Sequence, residues 1–583
     1  MADKLLEVRH LTIGFEEVSG IEKVVDDLSF DIYQGEIVGI VGESGSGKSM
    51  TAHAIMGLWK NGAKALDGQI FFEGQDLLGL TPEQMSKIQG DDISMIFQEP
   101  MTSLNPVKRI GWQVAESLRL HTSLPEDQIH RRVVENLKSV GLADAENLCR
   151  KYPHQLSGGM RQRVMIAMAM VCWPKLLIAD EPTTALDVTV QMQILQLLRK
   201  IHLEAQTSIL FISHDLNVIR EICHRVIVLY KGKIVESGYV TDVLEHPKHD
   251  YTKHLVASIP KVREDGRREG HMLDAKHLNV YYHVRGKGMF GKPVTKHVVQ
   301  DVSFHIREGE ILGLVGESGC GKSTLAKCIV GLNRHYDGSL ELKEAHPQLV
   351  FQDPYSSLNP VKKVGWILEE PLRIQGIKDK KKRRKMVEDM LIKVGLDPSF
   401  ANRYPTELSG GQRQRISIGA ALILNARFIV ADEPVSALDV TVQSQILDLL
   451  MDLQRERGLT YLFISHDLNI VRQFCHRVIV MYLGEIVEEA EVADIYDHPS
   501  HPYTRLLFHS ILDGEKHMGR VTDVEQKSEM KESQGCPFYS RCRERQERCK
   551  DRRPASVDIS GGGKTPHYVK CFKYSKTGEK VDA

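Results

Sequence analysis

The chain has 583 residues, of which 42% are hydrophobic and 26% are charged, and its formal net charge is −1 at pH 7. This length excludes a single hydrophobic core, and the near-neutral charge gives no global electrostatic support for binding nucleic acid. The sequence has no apolar run of 18 residues, so we expect no membrane-spanning helix.

The first predicted site begins with a buried strand, IVGIV at residues 37–41, which is followed by GESGSGKS at 42–49 and a helix-compatible run. The eight-residue segment fits the pattern G-x-x-x-x-G-K-[ST], in which backbone N–H groups at a helix N-terminus bind phosphate. The lysine reaches the β/γ oxygens and the serine binds Mg²⁺. The candidate residues are Gly42, Ser44, Gly45, Gly47, Lys48 and Ser49.

The same pattern recurs at residues 316–323 as GESGCGKS, after the apolar run ILGLV. Its candidate residues are Gly316, Ser318, Gly319, Gly321, Lys322 and Ser323. Four more segments occur twice in the same order: Phe-Gln before SLNP, LSGG before an Arg-Gln-Arg run, an apolar strand ending in Asp-Glu-Pro, and FISHD. The copies are 274 residues apart at the phosphate loops (316 − 42) but 252 apart at the aspartates (432 − 180). The first copy therefore carries an extra piece, which we place at residues 71–92.

Apolar strand-like runs alternate with helical patterns in both copies, which predicts an α/β fold with mostly parallel sheets. We predict two tandem P-loop domains, at residues 1–258 and 272–513, joined by a polar linker at 259–271. A short cysteine-rich tail at 514–583 closes the chain.

Both copies resemble the ATPase domains of ABC transporters, because the phosphate loop, glutamine, LSGG signature, Asp-Glu pair and histidine occur in the family's order. The segments EHPKHDYT at 245–252 and DHPSHPYT at 497–504 look like the HPxHxYT segment of oligopeptide, dipeptide and nickel importer ATPases. In that subfamily the two ATPases are usually separate chains, so this protein resembles a fused pair.

The resemblance implies two ATP sites, each shared between the copies. One site pairs Lys48 and Ser49 with Ser409, Gly410 and Gly411, and the other pairs Lys322 and Ser323 with Ser157, Gly158 and Gly159. The implied Mg²⁺ residues are Ser49, Gln98, Asp180, Ser323, Gln352 and Asp432. Glu181 and Glu433 resemble the general bases that activate water, and His214 and His466 resemble the sensors of the γ-phosphate. Phe15 and Tyr282 are candidates for stacking on adenine.

Each of these motifs also has a structural interpretation. A serine before two glycines is a common helix N-cap, an acidic pair can be solvated at a strand end, and a lone histidine is more often structural. Phe15 and Tyr282 are equally compatible with ordinary core aromatics. Two residues depart from the family pattern: Met160 replaces the glutamine after LSGG, and Met50 replaces the threonine after the phosphate loop. We expect a weakened contact from the first and little effect from the second.

The tail contains four of the ten cysteines, with the spacing C-x5-C-x6-C-x21-C: Cys536, Cys542, Cys549 and Cys571. It resembles a C-terminal element of some peptide-importer ATPases that holds a [4Fe–4S] cluster, and zinc or unligated thiols remain alternatives. No signal-peptide segment follows Met1, so we expect a cytoplasmic location, where disulfides are disfavoured. Arg541, Arg543 and Arg545 flank the cysteines and are predicted to lower the thiol pKa values.

The resemblance implies an ATPase that uses ATP and Mg²⁺ to power a membrane importer from the cytoplasmic face of the cell membrane. The implied partners are two integral-membrane permease subunits and, through them, an extracytoplasmic solute-binding protein, with no nucleic acid. We expect di- or oligopeptides as the solute, with nickel chelates and other small solutes open. The alternative class is a soluble twin ATPase acting on ribosomes or nucleic acid, which would carry a longer charged arm between its domains.

Overall fold

A computed structural model describes residues 3–17, 20–43, 45–59, 62–183, 188–257, 270–284, 294–353, 357–436, 438, 440–512, 535–561 and 565–575. The chain divides into two compact units, one made mainly of residues 1–258 and one made mainly of residues 259–583; residues 439–441 are assigned to the first and 187–189 to the second. Ser44 and most of the predicted linker lie outside the described residues. The first strand of the second unit begins at His271, inside the segment that the sequence assigned to the linker.

The described residues of the first unit form ten strands: β1 Lys4–Glu17, β2 Gly20–Tyr33, β3 Ile37–Gly42, β4 Ala63–Phe72, β5 Gln75–Asp76, β6 Ile93–Ile96, β7 Leu176–Asp180, β8 Ser208–Ile212, β9 Arg225–Tyr230 and β10 Lys233–Tyr239. Its central sheet has the order β10-β9-β3-β8-β7-β6, and only the β10–β9 pair is antiparallel. A separate antiparallel sheet has the order β2-β1-β4-β5.

The helices of the first unit, short 3-10 turns included, are Lys48–Ile55, Leu77–Gly79, Pro82–Ile88, Pro100–Ser103, Ile110–His121, Glu126–Ser139, Ala145–Cys149, Pro153–Gln155, Gly158–Met170, Val188–Ala205, Leu216–Ile222, Val240–Glu245 and Asp250–Ala257. The extra piece of this unit comprises β5 and the two segments that follow it, Leu77–Gly79 and Pro82–Ile88.

The second unit contains β11 His271–Val284, β12 Val294–Arg307, β13 Ile311–Val315, β14 Tyr336–Leu342, β15 Gln348–Val350, β16 Phe428–Asp432, β17 Thr460–Ile464, β18 Arg477–Tyr482, β19 Glu485–Glu491, β20 Val557–Asp558 and β21 Tyr568–Val569. Its central sheet runs β15-β16-β17-β13-β18-β19-β21-β20, so the last two strands come from the tail. The small antiparallel sheet has the order β12-β11-β14.

The helices of the second unit, again with 3-10 turns, are Lys322–Ile329, Val364–Ile374, Lys380–Lys393, Pro398–Asn402, Pro405–Glu407, Gly410–Leu422, Val440–Arg457, Leu468–Phe474, Val492–Asp497, Pro502–Leu512 and Glu547–Cys549.

The parallel strands β3, β7, β13 and β16 are largely apolar and buried at every residue, as expected when both faces of a parallel sheet are covered. The predicted α/β class is therefore confirmed. The antiparallel sheets were not predicted, because their strands are long and carry irregular pairing registers rather than a simple alternation. The carboxyl ends of β3, β7 and β8, where ligands bind in sheets of this type, carry the predicted site residues.

No helix in the described part of the chain is long and apolar enough to cross a lipid bilayer. All ten cysteines fall among the described residues, and none forms a disulfide.

Candidate active sites

The phosphate loop of each unit joins a buried strand to a helix that begins at the lysine. Gly47 and Gly321 precede these helices with φ values of 100° and 113°, which glycine adopts without a steric penalty. Lys48 Nζ donates to the carbonyl oxygens of Gly42 and Glu43, both at 2.7 Å. Lys322 Nζ donates to the matching carbonyls at 2.7 and 3.0 Å. The buried ammonium is thus held against the loop whose backbone N–H groups form the predicted phosphate cradle.

The serine after each lysine contacts the aspartate at the end of a neighbouring strand. Ser49 Oγ donates to Asp180 Oδ1 at 3.0 Å, and Ser323 Oγ donates to Asp432 Oδ1 at 3.2 Å. Burial raises the pKa of Asp432, and the hydrogen bond from Ser323 opposes that rise. A hydroxyl beside a carboxylate is a ligand pair that suits Mg²⁺, so the residues present fit this ion.

The glutamate after each aspartate is the centre of a three-residue cluster. Glu181 Oε2 accepts from Gln98 Nε2 at 3.0 Å and lies 3.2 Å from His214 Nδ1. In the second unit, Glu433 Oε2 accepts from Gln352 Nε2 at 2.8 Å and lies 3.1 Å from His466 Nδ1. Residues far apart in sequence therefore converge on one carboxylate oxygen, in the same way in both units.

Both glutamates also have an unusual backbone conformation. Glu181 and Glu433 each have φ of 48°, in the left-handed region that non-glycine residues seldom occupy. Their N–H groups donate to the carbonyls of Ile212 and Ile464, the last residues of β8 and β17, at 3.0 Å. Such conformations cost of order 1–3 kcal/mol and cluster at functional sites.

The cluster shifts the pKa values of its members. Burial lowers the pKa of His466, but the hydrogen bond with Glu433 and the negative charges of Glu433 and Asp467 together outweigh burial, and the net pKa is raised. The same balance raises the pKa of His214 beside Glu181. Burial raises the pKa of Glu433, but His466 and Lys322 outweigh it, and the net pKa is lowered. Glu433 therefore remains ionised at neutral pH, as a general base must.

The LSGG serines begin helices in both units. Ser157 is the N-cap of Gly158–Met170 and accepts from Met160 N at 3.4 Å. Ser409 caps Gly410–Leu422 in a complete capping box, because Gln412 Oε1 also accepts from Ser409 N at 3.1 Å. Met160 removes this reciprocal bond from the first unit. Each serine is thus a helix cap within its own unit.

The remaining predicted residues lie where the sequence placed them. Gly45, Ser318 and Gly319 lie in the turns of the phosphate loops. Phe15 and Tyr282 lie half-buried in β1 and β11, and Phe15 packs against the core of the first unit.

Two tyrosines that the sequence did not place at the site contact the phosphate loops. Glu43 N donates to Tyr251 Oη at 3.1 Å, and Glu317 N donates to Tyr503 Oη at 2.9 Å. Both tyrosines belong to the HPxHxYT segments, whose repetition at the same spacing was the signal that could have identified them.

The tail packs onto the second unit. Its strand β21 pairs with β19, and His567 Nε2 lies 2.7 Å from the buried carboxylate of Glu488. Phe538 is 3% exposed and packs against Tyr482 and Tyr503, with ring centroids 5.3 and 5.6 Å apart.

The four tail cysteines line one small pocket that is partly open to solvent. No group of three or more His, Cys, Asp or Glu side chains in the described ranges is arranged to hold a metal ion. Four thiols are chemically suitable ligands for a thiolate-bound metal, but in this structure they are not arranged around a common metal position.

The prediction of lowered thiol pKa values is wrong for three of these cysteines. Burial raises the pKa of Cys536 to about 11, and burial also raises the pKa values of Cys542 and Cys571. The reason is that the predicted cations face elsewhere: Arg541 pairs with Glu317, and Arg545 lies over the ring of Tyr539.

The chain matches two protein families. One is described as "ABC transporter" and matches residues 25–184 and 299–436. The other is described as "Oligopeptide/dipeptide transporter, C-terminal region" and matches residues 235–285 and 487–549.

Several characterised proteins are similar over most of their length. A glutathione import ATP-binding protein of Pectobacterium atrosepticum is 42% identical, with 87% of this chain and 89% of that protein covered. Its counterpart in Salmonella paratyphi A is 43% identical with the same coverage. A peptidoglycan transport ATP-binding protein of Agrobacterium fabrum is 44% identical, covering 86% of this chain and 95% of that protein.

The fold, the duplicated site and these similarities place the chain in the family of ABC transporter ATPases. Within that family it carries two tandem ATPase domains of the oligopeptide/dipeptide transporter type in one chain, and it hydrolyses ATP to power an importer of this type. ATPase subunits of this kind work with membrane permeases and a substrate-binding protein.

Proposed function

We propose that residues 1–258 and 272–513 each provide the phosphate loop and general base of one ATP site, and that both sites hydrolyse ATP. The observation that carries this proposal is the Gln–Glu–His cluster, which occurs with nearly equal distances around Glu181 and Glu433. Mg²⁺, when bound, neutralises charge on the phosphates. Lys48 and Lys322 exchange their carbonyl partners for phosphate oxygens, and the glutamates orient and deprotonate the attacking water.

The reaction then depends on positioning by this chain's own residues. The ionised Glu433 accepts the proton of water at its carboxylate, while Gln352 and His466 hold that carboxylate in place. Glu181, Gln98 and His214 have the same roles in the first unit. We propose, as the family resemblance implies, that the N-terminus of each signature helix binds the γ-phosphate held by the opposite unit; a helix N-terminus suits this role because it favours anions.

Reciprocal serine substitutions test this sharing. Ser409→Arg should reduce photocrosslinking of an azido-ATP probe at the loop containing Lys48, and Ser157→Arg should reduce it at the loop containing Lys322. Loss at the loop of the substituted unit itself would contradict sites that are shared between the units.

We propose a di- or oligopeptide as the imported solute, and nickel chelates and other small solutes are the alternatives. The similarity to glutathione and peptidoglycan transport proteins supports a peptide-like solute.

We propose that this chain binds two integral-membrane permease subunits from the cytoplasmic face of the membrane, and that an extracytoplasmic binding protein delivers the solute to them. Co-purification with permeases, followed by uptake of labelled peptides into vesicles, tests this proposal. Co-purification with ribosomes instead of permeases would favour the alternative class, a soluble twin ATPase that acts on ribosomes or nucleic acid.

We further propose that Cys536, Cys542, Cys549 and Cys571 bind one [4Fe–4S] cluster, with zinc as the alternative. Four thiols match the ligand count of either centre, and all four line one pocket. Protein purified without oxygen should be brown and carry about four irons per chain, and Cys542→Ser should remove the colour. A colourless preparation with stoichiometric zinc would favour the zinc alternative.

A further inference from the structure

One cation of the tail reaches the phosphate loop of the second unit. Arg541 lies in the turn between Cys536 and Cys542, where Cys542 N donates to Phe538 O at 2.9 Å. Its Nη1 donates to both carboxylate oxygens of Glu317, at 2.9 and 3.0 Å. Both side chains are only 12% exposed, so solvent screens this ion pair weakly.

Glu317 is the second residue of the phosphate loop, and its main chain contacts the groups that define the loop. Its carbonyl accepts from Lys322 Nζ at 3.0 Å and from Cys320 N at 3.3 Å, and its N–H donates to Tyr503 Oη. A shift of Glu317 would therefore move a carbonyl that holds the lysine. Its carboxylate is also a negative charge on the loop that must receive the phosphates.

The first unit has the same loop without this cation. Glu43 makes the matching main-chain contacts with Lys48, Ser46 and Tyr251. Within the described ranges, no arginine or lysine pairs with the carboxylate of Glu43. Both units nevertheless have a tyrosine pair that includes the loop-contacting residue: the ring centroids of Tyr230 and Tyr251 lie 4.3 Å apart and those of Tyr482 and Tyr503 lie 4.5 Å apart, with interplanar angles of 29° and 49°.

We infer that Arg541 is a positioning residue for the ATP site built on Lys322, and that attachment of the tail sets the ATP affinity of this loop but not that of the loop containing Lys48. The inference rests on the proposed ATP sites. Arg541 binds the side chain of Glu317 and neutralises its carboxylate, which would otherwise repel the triphosphate. Nucleotide binding and tail docking are consequently coupled, because each is stronger when the other is in place.

The test uses the full chain with Glu181→Gln and Glu433→Gln, so that hydrolysis does not deplete the probe. An azido-ATP probe is titrated, and crosslinked peptides from the two phosphate loops are quantified separately. Arg541→Ala should raise the probe concentration for half-labelling near Lys322 about tenfold, the scale of one charge-assisted hydrogen bond. Labelling near Lys48 should not change. Arg541→Lys should retain most of the affinity, because it keeps the charge.

Two further variants separate charge neutralisation from loss of tail packing. Glu317→Gln added to Arg541→Ala should restore most of the affinity, because it removes the negative charge that Arg541 neutralises in the wild-type protein. Arg553→Ala breaks another ion pair of the tail, with Glu485 at 2.7 Å, and should leave labelling at both loops unchanged. Equal loss from Arg541→Ala and Arg553→Ala, loss at both loops, or no loss at all would overturn the inference.

Lys322→Ala is the control for the ATP site itself and should abolish labelling at the second loop. Retained labelling with this variant would refute the proposed site, together with the inference that depends on it. Abolished labelling with Lys322→Ala and unchanged affinity with Arg541→Ala would refute the role of Arg541 alone.

Discussion

Strands β10 and β19 occupy the same place in the two central sheets, beside β9 and β18, but their surroundings differ. β10 is half-exposed along its length, whereas β19 is buried at six of its seven residues. The difference arises because β21 of the tail pairs with β19.

A matched carboxylate on each strand illustrates the consequence. Glu236 accepts from the N–H groups of Lys248 and His249 at 2.9 and 3.1 Å. Glu488 accepts from Ser500 and His501 in the same way, both at 2.8 Å, and adds the contact with His567. The contacts within the ATP sites are thus closely similar in the two units. The contacts of the neighbouring strands β10 and β19 differ, because only β19 is covered by the tail. The comparison predicts equal chemistry in the two units and unequal stability.

The largest effect should come from the general bases. Glu181→Gln and Glu433→Gln should each reduce hydrolysis at their own site by about 10²–10⁴-fold, because the amide cannot accept the proton of water. ATP binding should be retained. Turnover assays with single variants, together with nucleotide-binding measurements, check this expectation. Wild-type turnover in one variant would show that the sites are not equally competent.

His567→Ala should destabilise the second unit alone. Glu488 is 1% exposed, so loss of its partner leaves a buried carboxylate with fewer hydrogen bonds, at a cost of about 2 kcal/mol. Hydrogen exchange should become faster across β19 and remain unchanged across β10. Lys570→Ala is a suitable control, since its pair with Glu485 is at 4.0 Å and should contribute little. Equal acceleration in both strands would contradict the comparison.

The pair of His466 and Glu433 should make stability depend on pH. The pKa of His466 is raised above 6.5, so its contribution is full below that pH and is lost as the pH rises through the raised value. The pKa of Glu433 is lowered from 4.5, so its contribution is present above that pH and is lost as the pH falls through the lowered value.

His466→Gln should therefore lower the free energy of unfolding by an amount on the order of 1 kcal/mol between pH 4.5 and 6.5, and by less at higher pH. Burial lowers the pKa of His214, but Glu181 raises it and the net pKa is raised. The destabilisation caused by His214→Gln should therefore also become smaller as the pH rises. Thermal melts over this pH range provide the measurement. A penalty that grew with rising pH would have the wrong sign for this pair.

The smallest effect should come from the signature caps. Met160→Gln should restore the capping box of the first unit and stabilise its helix by about 0.5 kcal/mol. Gln412→Met should remove the box from the second unit and cost a similar amount. Differential scanning calorimetry of the two variants would measure opposite shifts. Shifts in the same direction would mean that packing of Met160 outweighs the cap.

The sequence by itself determined the α/β class, the duplication, and the lysine, serine, aspartate and glutamate of each site. Binding of phosphate and Mg²⁺ requires particular side-chain types at fixed spacings within a short motif. These residues can therefore be recognised from the local sequence. The repetition of every motif supports the family assignment more strongly than a single match would, whereas the structure shows Ser157 as a helix cap and its contact with nucleotide stays a prediction.

The tertiary structure alone decided which distant residues meet. Gln98 lies 83 residues from Glu181, and Arg541 lies 224 residues from Glu317, so no local spacing connects them. The sequence placed arginines beside the tail cysteines and suggested lowered thiol pKa values, but folding directs Arg541 to the phosphate loop and partly buries the thiols, which raises three of their pKa values. Charge partners and desolvation depend on the path of the whole chain, because they are set by neighbours in space rather than by neighbours in sequence.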